Sequence, residues 1–303
     1  MQGDLAYHQL QRSGPRGWWR PLLGTLALVA TMVGGGLVLL VAALLQGAFT
    51  GASADELTDL ATLSDPGPVM FAALLLSLGL LVPVAFVVSW SLHGITPGWL
   101  TSVAGRVRWR YLFDCLGLAV VALIAMIAVS AVLPTGTREE ITAQPHPFDA
   151  RLAYLLLLAL LLTPLQAAGE EYVFRGYLMQ VFGGFLPTAL AVLVPAILFA
   201  VAHGAQSLPV FIDRLAFGLV AGVLVLLTGG LEAGLAMHIV NNWVAFGLAV
   251  VLGNLGDSLH PSGGTWWSLP GTVVQSLTYF ALAVWLARKQ GLATRTALPG
   301  QSV

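Results

Sequence analysis

The feature that most limits what this chain can fold into is the spacing of its apolar runs. Eight stretches, near 22–48, 68–92, 112–133, 151–182, 187–204, 209–228, 231–253 and 267–287, are almost free of charge. Each comes close to the roughly 20 residues that a helix needs to cross a bilayer. The fourth is longer than a bilayer needs. Short polar or Gly/Pro-rich joints separate the runs. Only 9% of the 303 residues are charged and 57% are apolar, whereas soluble domains carry about 25% charged residues. The chain therefore reads as all-α: a polytopic transmembrane helical bundle of about eight spans, with no repeat and no separate soluble domain.

Lys and Arg orient such a bundle. The polar start "MQGDLAYHQLQRSGPRGWWRP" leads into a run too long for a signal-peptide core, so the first span is read as retained. With the N-terminus inside, the cytoplasmic side holds Arg12, Arg16, Arg20, Arg106, Arg108, Arg110, Arg288, Lys289 and Arg295, nine of the 13 basic residues. Arg138, Arg151 and Arg214 fall outside, and Arg175 alone lies within a span. The outer loop 49–67 carries Asp55, Glu56, Asp59 and Asp65 and no base. Both termini are thus expected in the cytoplasm of a multi-pass protein of the inner (plasma) membrane. Trp18, Trp19, Trp109, Trp266 and Trp267 fall at the expected bilayer interfaces. The basic stretch 98–112 reads as an ordinary inside loop rather than an amphipathic helix on the leaflet. A net charge of −1 gives no nucleic-acid signal, and the apolar spans make the lipid bilayer an expected partner. Usage of Arg over Lys, with abundant Ala, Gly and Leu, points to a GC-rich bacterial genome. The single Cys115 permits no intramolecular disulfide and reads as a small buried hydrophobe.

Charged side chains at membrane depth cost about 2.5–3.5 kcal/mol each on insertion scales, and those that persist are functional candidates. Four stretches contain polar groups of this kind: "EEYVFR" at 170–175, "FAVAH" at 199–203, "IDR" at 212–214 and "HIVNN" at 238–242. On a helix Glu171 and Arg175 share a face and can pair. Glu170 points about 100° away, which leaves it free for chemistry. The turn "GGFLP" at 183–187 allows depths to be compared. Glu170 lies roughly 20 Å of helix before Gly183, and His203 roughly 24 Å after Pro187, so the two arrive nearly level on antiparallel helices. His238 and Asn242 are four apart and face one way, with His238 about 12 Å from the turn at Gly230. Asp213 and Arg214 read as a local interfacial pair, and Asp114 as a helix-end charge.

Glu is a general base when burial lifts its pKa, and His203 could share a water with it. His238 and Asn242 offer donors to a developing oxyanion. The same groups, Glu170, His203 and His238, are equally candidates to ligate zinc. Either arrangement implies hydrolysis of an amide by water.

The stretches at 170–175, 199–203 and 238–242 resemble the motifs E-E-x-x-x-R, F-x-x-x-H and H-x-x-x-N of the CPBP family, the CAAX proteases and bacteriocin-processing enzymes also called Abi proteins. The resemblance covers residues 150 to 250 or so, and 217–242 is also similar to the family's approach to its third motif. It implies an intramembrane endopeptidase of the CAAX prenyl protease type with a site open to the cytosol. By position it makes Glu170 the activating carboxylate, Glu171 its neighbour and Arg175 a support. His203 would position the water, and His238 and Asn242 would hold the oxyanion. It leaves open whether zinc or the glutamate alone drives the reaction. The implied substrate is a peptide or membrane protein, and CAAX cleavage itself is not carried over to a bacterial chain. The implied organisation is a cytoplasmic tail at 1–20, N-terminal membrane helices at 21–149, a CPBP-type catalytic core at 150–253, and a last membrane helix with a cytoplasmic tail at 254–303. The competing readings are a proton- or ion-coupled transporter and a catalytically silent immunity or scaffold protein. The transporter would call for repeated halves with matching broken helices, and the sequence has neither.

Overall fold

The structure is a computed structural model and describes residues 4–132, 145–204, 206–253, 255–259 and 266–297. The expected outer loop around Arg138 lies outside them. The chain begins with strand β1 (Leu5–Ala6) and a 3₁₀ helix (Tyr7–Ser13), then runs through α1 (Trp19–Thr50), α2 (Ala54–Thr62), α3 (Pro68–Gly79), α4 (Leu81–His93), α5 (Pro97–Thr101) and α6 (Trp109–Val132). From residue 145 onward come α7 (Ala150–Glu171), a π-helical segment (Tyr172–Leu178), α8 (Met179–Phe185), α9 (Thr188–Ala202), α10 (Leu208–Thr228), α11 (Glu232–Leu252), α12 (Leu255–Leu259), α13 (Leu269–Lys289) and β2 (Arg295–Thr296).

Among the described residues seven helices are long and apolar enough to cross a membrane. The eighth expected span is the exception. Helix α9 has 15 residues, about 22 Å at 1.5 Å per residue, and it stops at His203, where Gly204 takes a left-handed φ of 77°. The fold is thus seven full spans and one short helix. Exposed leucines and valines stud the outer faces, as on α1 with Leu22, Val33, Leu37 and Leu45. Only lipid tails can cover a girdle of that extent.

Helices α7 and α11 form the centre. Helix α7 packs on α3, α4 and α11, and α11 also packs on α6 and α10. Small residues set the closest approaches. A Cβ on Gly169 would sit 2.0 Å from the Leu78 carbonyl oxygen, and one on Gly79 would sit 2.5 Å from Leu165 Cγ. Pro83 lacks the N–H that Gly79 would receive, and the helix breaks between α3 and α4 at Leu80. Pro164 likewise strips the Leu160 carbonyl of its helical donor. The indole Nε1–H of Trp243 on α11 donates to that carbonyl at 3.0 Å, which fixes α11 against α7.

One end of the bundle gathers the termini. β1 pairs antiparallel with β2. Tyr7 is fully buried and its hydroxyl donates to the Leu100 carbonyl. Arg12 donates twice to the Gly183 carbonyl, at 3.0 and 2.7 Å. The 98–112 loop is not loose. Val103 N–H donates to Gly229 at 2.8 Å and Leu231 N–H to Thr101 at 2.9 Å, and Arg108 pairs with buried Glu232. The opposite end carries α2, opened by a capping box in which Ser53 and Glu56 exchange hydrogen bonds. That exchange holds the Glu56 carboxyl below its usual range.

Candidate active site

Residues Gln166, Glu170 and Phe174 repeat every four positions and share a face, while Glu171 and Arg175 share the next. Glu171 is fully buried and accepts from Arg175 Nη1 at 2.9 Å, as the spacing predicts. It also meets His238 Nδ1 at 2.9 Å. Gly234, one turn before His238, leaves room for this contact, since a Cβ there would lie 3.2 Å from Glu171 Oε2. The Arg175 guanidinium sits over the Phe199 ring at 4.1 Å and the Phe217 ring at 5.4 Å. This aromatic bracket adds to the ion pair in holding a buried cation.

Glu170 is less free than its helical phase suggests. Its Oε1 accepts from Gln166 Nε2 at 2.8 Å. Its Oε2 lies 3.3 Å from His238 Nε2 but out of hydrogen-bond alignment, and has no bonded partner. Gln166 in turn accepts from Asn242 Nδ2 at 2.9 Å. The sequence reading missed Gln166, although a lone amide one turn before Glu170 in an apolar run was the available signal. His238 therefore stands between the two motif glutamates, one at each ring nitrogen. Both nitrogens thus face carboxylates, whereas an oxyanion donor would turn one of them to the substrate.

His203 ends α9 half-buried. Its Nδ1 lies 2.8 Å from the Phe199 carbonyl, which can only accept, so Nδ1 carries the proton and the Nε2 lone pair is left available. Its ring lies edge-to-face on Phe199 at 4.6 Å. Glu170, His203, Asn242 and Gln166 line one cavity of about 360 Å³, together with Arg214 and apolar walls from Leu75, Leu78, Phe174 and Phe246. Two other hollows, of about 680 Å³ beside Arg12 and Trp18 and about 290 Å³ beside Asp65 and His146, hold neither motif glutamate. The site cavity reaches Leu63, Ser258 and Leu259, at the end of the bundle remote from the paired termini. The Lys/Arg count puts that end outside, whereas the resemblance implies a cytosolic opening. The two expectations do not agree for this cavity.

The same side chains bear on the expectation of zinc. Among the described residues no three His, Cys, Asp or Glu groups gather as a metal would require. His238 Nε2 and Glu170 Oε2 come together at 3.3 Å, but His238 Nδ1 is taken by Glu171 and His203 does not join them, so the donor set as arranged falls short of the three protein ligands that a zinc site takes. Asp213 and Arg214 form no ion pair with each other, contrary to the sequence reading. Adjacent residues on a helix diverge by about 100°, and Asp213 turns to Thr272 on α13 while Arg214 turns into the cavity.

Residues 151–244 match the family model described as type II CAAX prenyl endopeptidase Rce1-like. This stretch is Rce1-like. The Rce1-like stretch carries every motif side chain from Glu170 to Asn242, along with Gln166, Arg214 and Trp243. The cavity walls at Leu63, Leu75, Leu78 and Ser258 come from outside it. The chain is also similar to the uncharacterized protein YyaK of Bacillus subtilis (strain 168), with 30% identity over 152 residues, which is 46% of this chain and 51% of that protein. The chain thus spans about half the length of the curated relative it matches. No solved structure matches it significantly.

Proposed function

We propose that this protein is an intramembrane endopeptidase of the CAAX-protease type, in which Glu170 is the general base and water is the nucleophile. The observation that carries the reading is the unbonded, buried Oε2 of Glu170 beside a cavity that also holds the lone pair of His203 Nε2. A water between these two acceptors would be oriented by both. Glu170 takes one proton as the water oxygen attacks the scissile carbonyl carbon. The second N–H of Asn242 donates to the oxyanion that forms. Glu170 then delivers its proton to the amide nitrogen, the C–N bond breaks, and an acid and an amine leave. His238 is a positioning residue that holds the two carboxylates apart in charge and orientation, and Arg175 anchors Glu171. No step passes through a metal ion. The substrate is a peptide or the accessible part of a membrane protein, and the termini are cytoplasmic on the Lys/Arg count.

The test is cleavage of a quenched fluorogenic peptide library by the detergent-purified protein and by Glu170→Gln. The expected result is turnover by the parent chain and its loss, by about a hundredfold or more, in the variant, with an unchanged melting profile. Equal turnover by the two proteins overturns the assignment of Glu170.

A further inference from the structure

The strongest unassigned group in the molecule is Arg214. It lies on α10 in the wall of the site cavity, together with Glu170, His203 and Asn242. The described residues give it no ion pair: Arg175 has Glu171, Arg108 has Glu232 and Arg151 has Asp65, but no carboxylate comes within 4.0 Å of Arg214. Its sequence neighbour Asp213 faces away. Glu170 is the single carboxylate in the cavity lining and is held by Gln166 with His238 beside it. A guanidinium facing a cavity walled by leucine and phenylalanine is costly to leave without an anion. Its planar fork matches a carboxylate bidentately.

We infer that Arg214 is a substrate-recognition residue that receives a carboxylate of the bound peptide. This rests on the peptidase reading above and adds a substrate class to it. The cavity is at the small end of the range for ligand sites, about 300–1,000 Å³. It admits a short stretch of peptide beside the scissile bond rather than a bulky fold. The carboxylate is supplied either by the free C-terminus of the substrate or by an acidic side chain close to the cleaved bond. Both present the same two oxygens to the guanidinium.

Binding separates this inference from catalysis. In the inactive Glu170→Gln protein, fluorescence anisotropy reads the affinity of labelled short apolar peptides in four forms: C-terminal acid, C-terminal amide, and amidated peptides with one internal Glu or one internal Gln. We expect one carboxylate form to bind about tenfold or more tightly than its neutral counterpart. The acid/amide pair identifies a chain end, and the Glu/Gln pair a side chain. Arg214→Gln should abolish the preference, and Arg214→Lys should keep part of it. In the active protein the same change should raise KM for the preferred form more than it lowers kcat. Equal binding of every acid and neutral pair by the parent site, which needs no folded variant, overturns the inference. So does a preference that survives Arg214→Gln. Failure of the peptidase reading shows up elsewhere, as absence of turnover with the carboxylate preference intact.

Discussion

Arginine 175 offers the sharpest stability experiment. The side chain is 1% exposed, ion-paired with a fully buried Glu171, and bracketed by Phe199 and Phe217. Replacing it with Ala leaves the Glu171 carboxylate with His238 as its remaining partner. Breaking a buried pair from one side costs about 3–5 kcal/mol. The lost cation–π contact adds about 1–2 kcal/mol, and retention of the His238 contact gives back a similar amount. The net expectation is a loss of about 3–5 kcal/mol. The double change Glu171→Gln/Arg175→Gln removes both charges together, a replacement that is often close to neutral. It still forfeits the aromatic bracket, so about 1–2 kcal/mol is expected. At roughly 2 °C or more per kcal/mol, Arg175→Ala should melt about 6–10 °C below the parent and the double variant less than half as far. Cys115 provides the readout. It is the single cysteine and is buried in the α6–α11–α13 packing, so a thiol-reactive fluorogenic dye reports bundle opening in detergent. A double variant that melts as low as Arg175→Ala refutes the reasoning, because it would mean that packing rather than the orphaned charge sets the loss.

Other outcomes follow from the same geometry. His203→Ala should remove turnover while leaving the melting profile within about 2 °C, whereas His238→Ala should lower both, since Glu170 and Glu171 lose the ring between them; matched melting curves for the two variants argue against this division. Ser258→Cys in a Cys115→Ser background should react with a membrane-impermeant thiol reagent applied to intact cells, if the cavity end remote from the termini is outside as the Lys/Arg count predicts. Labelling that requires permeabilised cells reverses the orientation. His8 is buried against Thr188, and burial, with Arg12 and Arg295 adding to it, pushes its pKa down to about 4. The unfolded value lies near 6.5, so the free segment binds the proton more readily. The docking contribution of neutral His8 is present above about pH 6.5 and is lost as pH falls towards 4. Protease sensitivity of the first 18 residues should rise across that window in the parent, and a flat profile contradicts the assignment.

Much of the bundle could be read from composition because a bilayer leaves long apolar runs few choices, and the Glu171–Arg175 pair was legible because both ends lie one turn apart on one helix. The level match of Glu170 and His203 also held to the extent that both line one cavity. Other features depend on contacts between distant segments, which periodicity does not encode. Counting from Gly230 left His238 about 8 Å short of Glu170, because the count set both turns at one level. Their contact requires Gly183 to reach further along the bundle axis than Gly230. The role of Trp243 depends on a carbonyl orphaned by Pro164 on another helix. Gln166 gains meaning only from Asn242, 76 positions later. The pairing assumed for Asp213 and Arg214 ignored the 100° between neighbours, the rule that had separated Glu170 from Glu171. Helix α9 read as a span because its composition is apolar throughout, although it runs out of residues at the site.

The π-helical segment from Tyr172 to Leu178 has a consequence for how this chain can vary in length. Wide helical turns of this kind hold more residues per turn than an α-helix. Deleting one residue between 172 and 178 would let the stretch relax to ordinary α-helix. Everything beyond it would keep nearly its present phase and height, because the wide turn is where one extra residue is accommodated. Gly183 would stay against the His8 carbonyl, where a Cβ has no room at 2.0 Å, and Arg12 would keep its acceptor. The same deletion between 179 and 182, in ordinary α-helix, would turn Gly183 by about 100° and shift it by about 1.5 Å, and the seat of the N-terminal segment would be lost. The wide turn is therefore a place where this chain tolerates a change of length that the next turn does not.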